Sequence, residues 1–178
     1  MRLDIRAQRS RAALLRAFTE LMFRDGFEAV SVRSIVAAAR TARSTFYEHF
    51  QSKEDILGAS MAHFLGVMAD CASEEEQPPE LIWVLSHFWE SRRLTDAVFT
   101  GVPRKIIARR LAEMIQGRLE RSQGVTALIP EVLAATQLAE AQLALVESWL
   151  RGRAFAKPEA MAAALHQTSK ASAAALKP

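Results

Sequence analysis

The chain has 178 residues, half apolar and 24% charged, with mean hydropathy of +0.02, and its seven Gly and six Pro are too few for a turn-rich β-sandwich or barrel. One cysteine, Cys71, excludes an intramolecular disulfide framework or a multi-cysteine zinc site, and no apolar run approaches the length of a membrane span. The net charge of +3 divides unevenly: ten Lys/Arg face five Asp/Glu through residue 53, a surplus of +5, and thirteen face fifteen thereafter, a deficit of −2. A basic N-terminal third on a mildly acidic remainder is what a nucleic-acid-binding module joined to something else would show, and equally what arginines clustered by chance on solvated helix faces would show. Arginines interleaved at positions 2, 6, 9 and 11 rule out the apolar core of a secretory leader, so a cytoplasmic location is expected.

Helical periodicity recurs along the chain, and convincing two-residue alternation is absent. A first helix is predicted from Asp4, as N-cap, to Asp25, with Leu14, Leu15, Phe18, Leu21 and Met22 as its apolar stripe and Gly26 just past its end. Ser31 caps a short second helix over 32–39, with Ile35 and Ala38 facing inward. A polar break at Arg40-Thr41-Ala42 precedes a third helix ending near Phe50. Ser52 opens a fourth with the S-x-x-D spacing of a capping box, and Leu57, Met61, Phe64, Met68 and Cys71 continue its stripe without interruption. The acidic run Glu74-Glu75-Glu76 and Pro78-Pro79 read as a surface connection.

Further helices are predicted over 80–92, over a short segment 95–100 that stops at Gly101, and from Pro103 to just before Gly124. Two more follow, over 130–152 and from Pro158 onward. The last is expected to fray after Ser169, where large apolar residues give out except for Leu176.

Three short helices with a three-to-four-residue break between the second and third fit a helix-turn-helix. In detail, Leu14-Leu15, Ala17, Leu21, Gly26-Phe27, Ser31-Val32, Ile35, Ala38-Ala39 and the run Thr45-Phe46-Tyr47-Glu48-His49-Phe50-Gln51-Ser52-Lys53-Glu54 resemble the N-terminal pattern of TetR/AcrR-type transcriptional regulators, over about residues 11–57. The third helix then needs an outward face of donors and acceptors, which Arg43, Ser44 and Tyr47 can supply, and a packing face, which Phe46 and Phe50 can supply. Arg43 is the candidate base reader, because bidentate arginine–guanine pairing is the commonest specific contact. The resemblance implies that Thr45, Tyr47 and His49 anchor phosphates. It implies the same of Lys53 at the start of the fourth helix, where the helix dipole also attracts anions. Ser31 and Arg33 match positions that touch the backbone or a neighbouring base. The blander readings are a half-buried Tyr47 and a His49 that only closes its helix.

Four positions depart from the family pattern. Arg40 stands where Gly is usual and positive φ is common, at a cost of ~1 kcal/mol. Thr41 replaces an apolar residue, and Ala42 replaces a capping Ser, a role Thr41 could assume if the helix starts one residue early. Ser44 replaces a small Gly.

The implied architecture is all-α, with a helix-turn-helix DNA-binding domain over residues 1–51 and a helical regulatory and dimerisation domain over 52–178. Two long C-terminal helices would pair in a homodimer through Gln142, Leu145, Val146, Trp149, Leu150, Met161, Leu165 and Thr168, unless that stripe is intramolecular core. Phe64, Met68, Trp83, His87, Phe88, Phe99, Met114 and Trp149 form a soft aromatic set suited to an apolar or aromatic effector, with His63 or His87 as polar handle, although such a stripe is more often plain core. Cys71 reads as an inert helix residue.

The expected function is repression from a pseudo-palindromic double-stranded DNA operator, relieved by a small effector. The alternatives are an activator or a regulator without ligand control, and a helical module that binds no DNA. No catalytic constellation, metal site, cofactor or membrane contact is expected.

Overall fold

A computed structural model describes residues 2–73, 75–92, 97–121 and 128–176, with only the backbone followed at 2–4. The described residues form nine α-helices and one 3-10 turn, with no strand among them. The helices are α1 (Arg2–Asp25), α2 (Val32–Ala38), α3 (Arg43–His49), α4 (Lys53–Ser60), α5 (Ala62–Asp70), α6 (Leu81–Glu90), α7 (Gly101–Arg121), α8 (Glu131–Leu150) and α9 (Pro158–Ala175). No helix among the described residues is long and apolar enough to cross a membrane.

The first three helices pack on one another around Leu14, Phe18, Ile35 and Phe46, all without solvent exposure. Gly26 (φ 80°) lets the chain leave α1, and its N–H is accepted by the Met22 carbonyl at 3.0 Å. Phe27 then turns back so that its ring meets Phe18 edge to face at 6.4 Å. Ser31 and Ser34 close a reciprocal capping box at the start of α2, which fixes the first orphan N–H groups of that helix.

The body is built on α7, which runs against α4, α5 and α8, while α9 closes on α6 and α8. Arg104 on α7 ties α8 through Glu147 at 2.8 Å and Glu140 at 2.7 Å. Arg110 reaches Asp55 on α4 at 3.2 Å, and Arg118 pairs with Asp70 at the end of α5. One apolar core runs through both the basic N-terminal helices and the body, joined by Ile56 and Leu57 of α4.

Several boundaries differ from the sequence expectation. Asp4 lies inside α1, which begins at Arg2. Ala38 is exposed, because α2 turns only Ile35 fully inward. The fourth helix is two helices, α4 and α5, broken at Met61, whose φ of −97° and ψ of 0° leave the α-helical ladder. Gly101 (φ 58°) opens α7 rather than ending a preceding segment. Residues 93–96 and Gly124 fall outside the described residues, and with them part of the predicted 95–100 segment and the expected end of α7.

The C-terminal helix does not fray after Ser169. The Ser169 hydroxyl meets Gln142 at 2.9 Å, Ala173 is buried, and the Leu176 carbonyl accepts the Leu128 N–H at 2.9 Å. Small side chains here pack closely on α8 and α6, so burial without bulk holds the helix.

Candidate DNA-binding site

The turn between α2 and α3 is a Schellman closure. The N–H of Arg40 bonds to the Ala37 carbonyl at 3.2 Å, and the N–H of Thr41 bonds to the Val36 carbonyl at 3.0 Å. Arg40 therefore adopts φ 52°, the left-handed conformation expected where the family usually has Gly. α3 starts at Arg43 with Ala42 as its N-cap and no side-chain cap. Thr41 does not take the capping role, and its Oγ1 is buried without a hydrogen-bond partner.

A seven-residue helix is not stable alone, so α3 depends on its packing face. Phe46 and Phe50 supply that face at 0% and 2% exposure, with ring centroids 5.7 Å apart. The opposite face carries Arg43, Ser44, Tyr47 and Glu48 into solvent, and Tyr47 is 49% exposed. Arg43 Nη2 donates to the Tyr47 hydroxyl at 3.3 Å, and its guanidinium lies 5.7 Å from the Tyr47 ring centroid. Tyr47 is thus a surface residue with an orienting cation, not a core aromatic. Thr45 is half-buried on the flank of α3.

His49 is half-buried, and its Nε2 lies in hydrogen-bond contact with Ser10 Oγ of α1 at 2.8 Å. It pins the end of α3 to α1. Arg11, on the same stretch of α1, sits 5.4 Å over the Phe50 ring. Ser31 and Arg33 are exposed at the start of α2, with the Ser31 hydroxyl already held by Ser34.

Lys53 sits otherwise than expected. Its ammonium donates to the carbonyls of Phe27 at 3.0 Å, Val30 at 3.3 Å and Glu28 at 3.5 Å, and lies 4.4 Å from the Phe27 ring centroid. All three donors of the ammonium are directed to one turn of backbone.

The electrostatic contrast between the two parts is sharp. Arg6, Arg9, Arg33, Arg40 and Arg43 make no ion pair among the described residues, whereas Arg104, Arg110, Arg118 and Lys170 in the body are all paired with carboxylates. Those five arginines of the N-terminal third are therefore unneutralised by carboxylates, whereas these four cations of the body tie its elements together.

The match to known proteins lies on these same helices. Residues 9–59 match the family model for bacterial regulatory proteins of the tetR family. That segment is of the tetR-family type. The matched segment, that of DNA-binding transcriptional regulators, spans α1 from Arg9, all of α2 and α3, and nearly all of α4. No curated protein matches the sequence. Among solved structures, a TetR transcriptional regulator from Streptococcus agalactiae is 21% identical, with a TM-score of 0.56 over 96% of this chain and 98% of that one. A TetR-family transcriptional regulator from Syntrophomonas wolfei is 20% identical with a TM-score of 0.52, over 94% and 96% of the two chains. The TetR-family repressor AlkX from Dietzia is 18% identical with a TM-score of 0.51, over 94% and 97%. At these identities the likeness establishes a shared fold along nearly the whole chain.

The two other residue sets divide differently. Of the effector set, Phe64, Trp83, His87 and Phe88 line one cavity, and Phe99 packs its ring 6.2 Å from Phe64 and 6.1 Å from Phe88. Met68, Met114 and Trp149 do not line it: Met68 is fully buried, Met114 lies over Gly66, and Trp149 stacks on Trp89 at 4.7 Å while donating to the Ala156 carbonyl.

Of the dimer set, Gln142, Val146, Trp149, Leu150, Met161 and Leu165 are no more than 6% exposed within one chain, so they have no surface to give a partner. Gln142 donates to the Met68 carbonyl at 3.0 Å and to Ser169 at 2.9 Å, deep in the body. Thr168 is exposed and Leu145 half-buried. Period alone picked the inner stripe of α8 because that helix has two faces of small and apolar residues.

Cys71 is fully buried, and its thiol donates to the Val67 carbonyl at 3.4 Å. Burial first, and the neighbouring Asp70 charge second, push the thiol up to about 12, so the reactive thiolate is scarce at neutral pH. A thiol reagent at pH 8 is expected to label Cys71 only as the chain unfolds. Labelling and loss of helical dichroism should share one denaturant midpoint, and fast labelling of the native protein would contradict this.

Proposed function

We propose that the chain acts as a homodimeric repressor that reads a pseudo-palindromic DNA site through α3 and releases it when a small apolar or aromatic effector binds the body. The observation that carries the DNA reading is the outward face of α3: Arg43, Ser44 and Tyr47 stand exposed with no carboxylate partner, over a packing face that fixes their direction. Arg43 reads a base edge, Thr45, Tyr47 and His49 meet phosphates, and Ser31 and Arg33 touch the backbone or an adjacent base from α2. Arg6 and Arg9 add to the same positive field. Lys53 serves this surface by holding its scaffold.

The division into a reading head, 1–51, and a body, 52–178, follows the change in charge and the start of α4 after its Ser52 cap. The dimer forms on the outward faces of α8 and α9, where Ala141, Ala144, Thr168 and Ala171 are exposed and small enough for close helix approach. Two heads one helical turn or a near multiple apart then match a two-fold site.

The test uses the duplex that the full-length protein selects from a random-sequence pool, followed by fluorescence anisotropy. Affinity is expected to fall linearly and steeply on a log–log plot against salt. Arg43→Ala should weaken the selected duplex by roughly tenfold to a hundredfold per half-site and relax preference at one base position, with the salt slope little changed. Absence of salt-sensitive binding to any duplex would overturn the reading.

A further inference from the structure

The cavity that gathers part of the effector set does not lie wholly within the body. It encloses about 260 Å³, and the last two turns of α1 form one of its walls through Thr19, Met22 and Phe23. The α4–α5 junction forms a second wall around Ser60, and α6 forms a third through Val84 and Phe88. We infer that this interdomain cavity binds an uncharged one- or two-ring aromatic molecule carrying a hydroxyl or ring N–H, and that the bound molecule acts on the reading head by direct contact with α1. The regulatory half of this inference rests on the DNA-binding reading above; the binding half does not.

The chemistry of the lining sets the ligand class. No carboxylate, lysine or arginine lines the cavity among the described residues, so a cation would lose hydration without a counter-charge, and an anion would find only the imidazoles of His63 and His87. The hydroxyls of Thr19 and Ser60 donate to their own helix carbonyls, Leu15 at 2.9 Å and Leu57 at 2.8 Å. Each keeps only acceptor capacity, which suits a ligand that brings a donor.

Flat rings dominate the mouth. Trp83 is 63% exposed and stacks on His87 at 5.8 Å and 10°, with His63 6.2 Å away. An indole this exposed, with an imidazole on one face, offers its remaining surface to a planar partner. The volume lies between the ~150 Å³ that holds a benzene and the ~300 Å³ lower bound of drug-sized sites.

Position supplies the coupling. α1 is the helix on which α2 and α3 pack, so a shift of its C-terminal turn carries the DNA-reading face with it. The cavity also straddles Met61, where the α-helical ladder between α4 and α5 is already broken. A molecule wedged between α1 and α6 therefore touches the head and the joint at once. By linkage, it lowers DNA affinity by the same factor by which DNA lowers its own.

The experiment titrates 2-naphthol, with phenol, indole and 4-phenylphenol as companions, into the full-length protein, read by tryptophan quenching and calorimetry. At least one probe is expected to bind saturably, and Ser60→Trp, which fills the cavity, should weaken it at least tenfold. Phe23→Ala, at an exposed site that leaves the fold intact, should weaken it less. At saturating probe, affinity for the selected duplex should fall roughly five- to hundredfold in the wild type, and by much less in Phe23→Ala. Binding by none of the four, or binding that both substitutions leave unchanged, overturns the site. Binding with unaltered DNA affinity overturns the coupling. Intact probe binding in a protein with no salt-sensitive affinity for any duplex overturns the DNA reading and leaves the site standing.

Discussion

Phe46→Ala is expected to cost about 3–5 kcal/mol of stability and to melt the reading head ahead of the body. Phe46 has no solvent exposure and lies within 5.4 Å and 5.7 Å, centroid to centroid, of Tyr47 and Phe50. α3 has seven residues and no side-chain cap, so little but this packing face opposes its unravelling. Arg40, three residues before α3, adds a left-handed residue costing ~1 kcal/mol. The cavity left by alanine is large for so small a cluster, and the surrounding rings cannot collapse into it without moving α3.

The chain supplies its own probes for this outcome. All three tryptophans, Trp83, Trp89 and Trp149, belong to the body, and the head contains the single tyrosine, Tyr47. Helical dichroism should therefore show an early loss in Phe46→Ala while the tryptophan midpoint shifts little, and DNA affinity should vanish with the first phase. Coincident transitions at the wild-type midpoint would show that α3 does not depend on Phe46.

What was legible in the sequence is what local chemistry dictates. Ser31, Ser52, Gly26 and Pro158 mark helix ends because capping oxygens, positive φ and a fixed proline φ act within a few residues. The left-handed geometry of Arg40 was legible only through the family resemblance, which has Gly at that position. The break at Met61 was not legible, because the apolar stripe from Leu57 to Cys71 continues through it in phase. The stability of α9 was hidden for the opposite reason: Ser169 and Ala173 carry little hydrophobic signal, yet tertiary contacts bury both.

The sites follow the same division. Exposure of Arg43, Ser44 and Tyr47 follows from helix period once Phe46 and Phe50 are turned inward. The α1 wall of the interdomain cavity could not be read, because Thr19 and Phe23 meet Trp83 and His87 only through the folded chain, some sixty residues apart. In the dimer set, a helix with two usable faces defeats any choice made from period alone. Gln142 is the instructive case, a polar residue that marks the inside of α8 because it bridges α5 and α9.

Lys53→Met should lower stability by about 1.5–3 kcal/mol, the range for hydrogen bonds to a charged group, and leave the salt slope of DNA binding unchanged. Methionine keeps the length and the apolar contact of the stem, so the ammonium alone is removed. That ammonium holds the carbonyls of Phe27, Glu28 and Val30, the 3-10 turn immediately before the Ser31 cap of α2. A lysine that instead neutralised a phosphate would leave stability nearly intact and reduce the log–log salt slope by roughly one per contact, twice in a dimer. Chemical denaturation and the salt titration therefore decide between clasp and phosphate ligand.

The clasp has a mechanical consequence. α4 grips the head through Lys53 at that turn and through Asp55, whose carboxylate accepts the Gln51 N–H at 3.1 Å. The same carboxylate receives Arg110 of α7 at 3.2 Å. Any displacement of α4 therefore pulls on the start of α2 and the end of α3 together, so Lys53→Met should also weaken transmission from the cavity to DNA. The drop in duplex affinity caused by saturating 2-naphthol is expected to shrink in this variant while its affinity for the probe is retained, and an undiminished drop would place the whole of the coupling in α1.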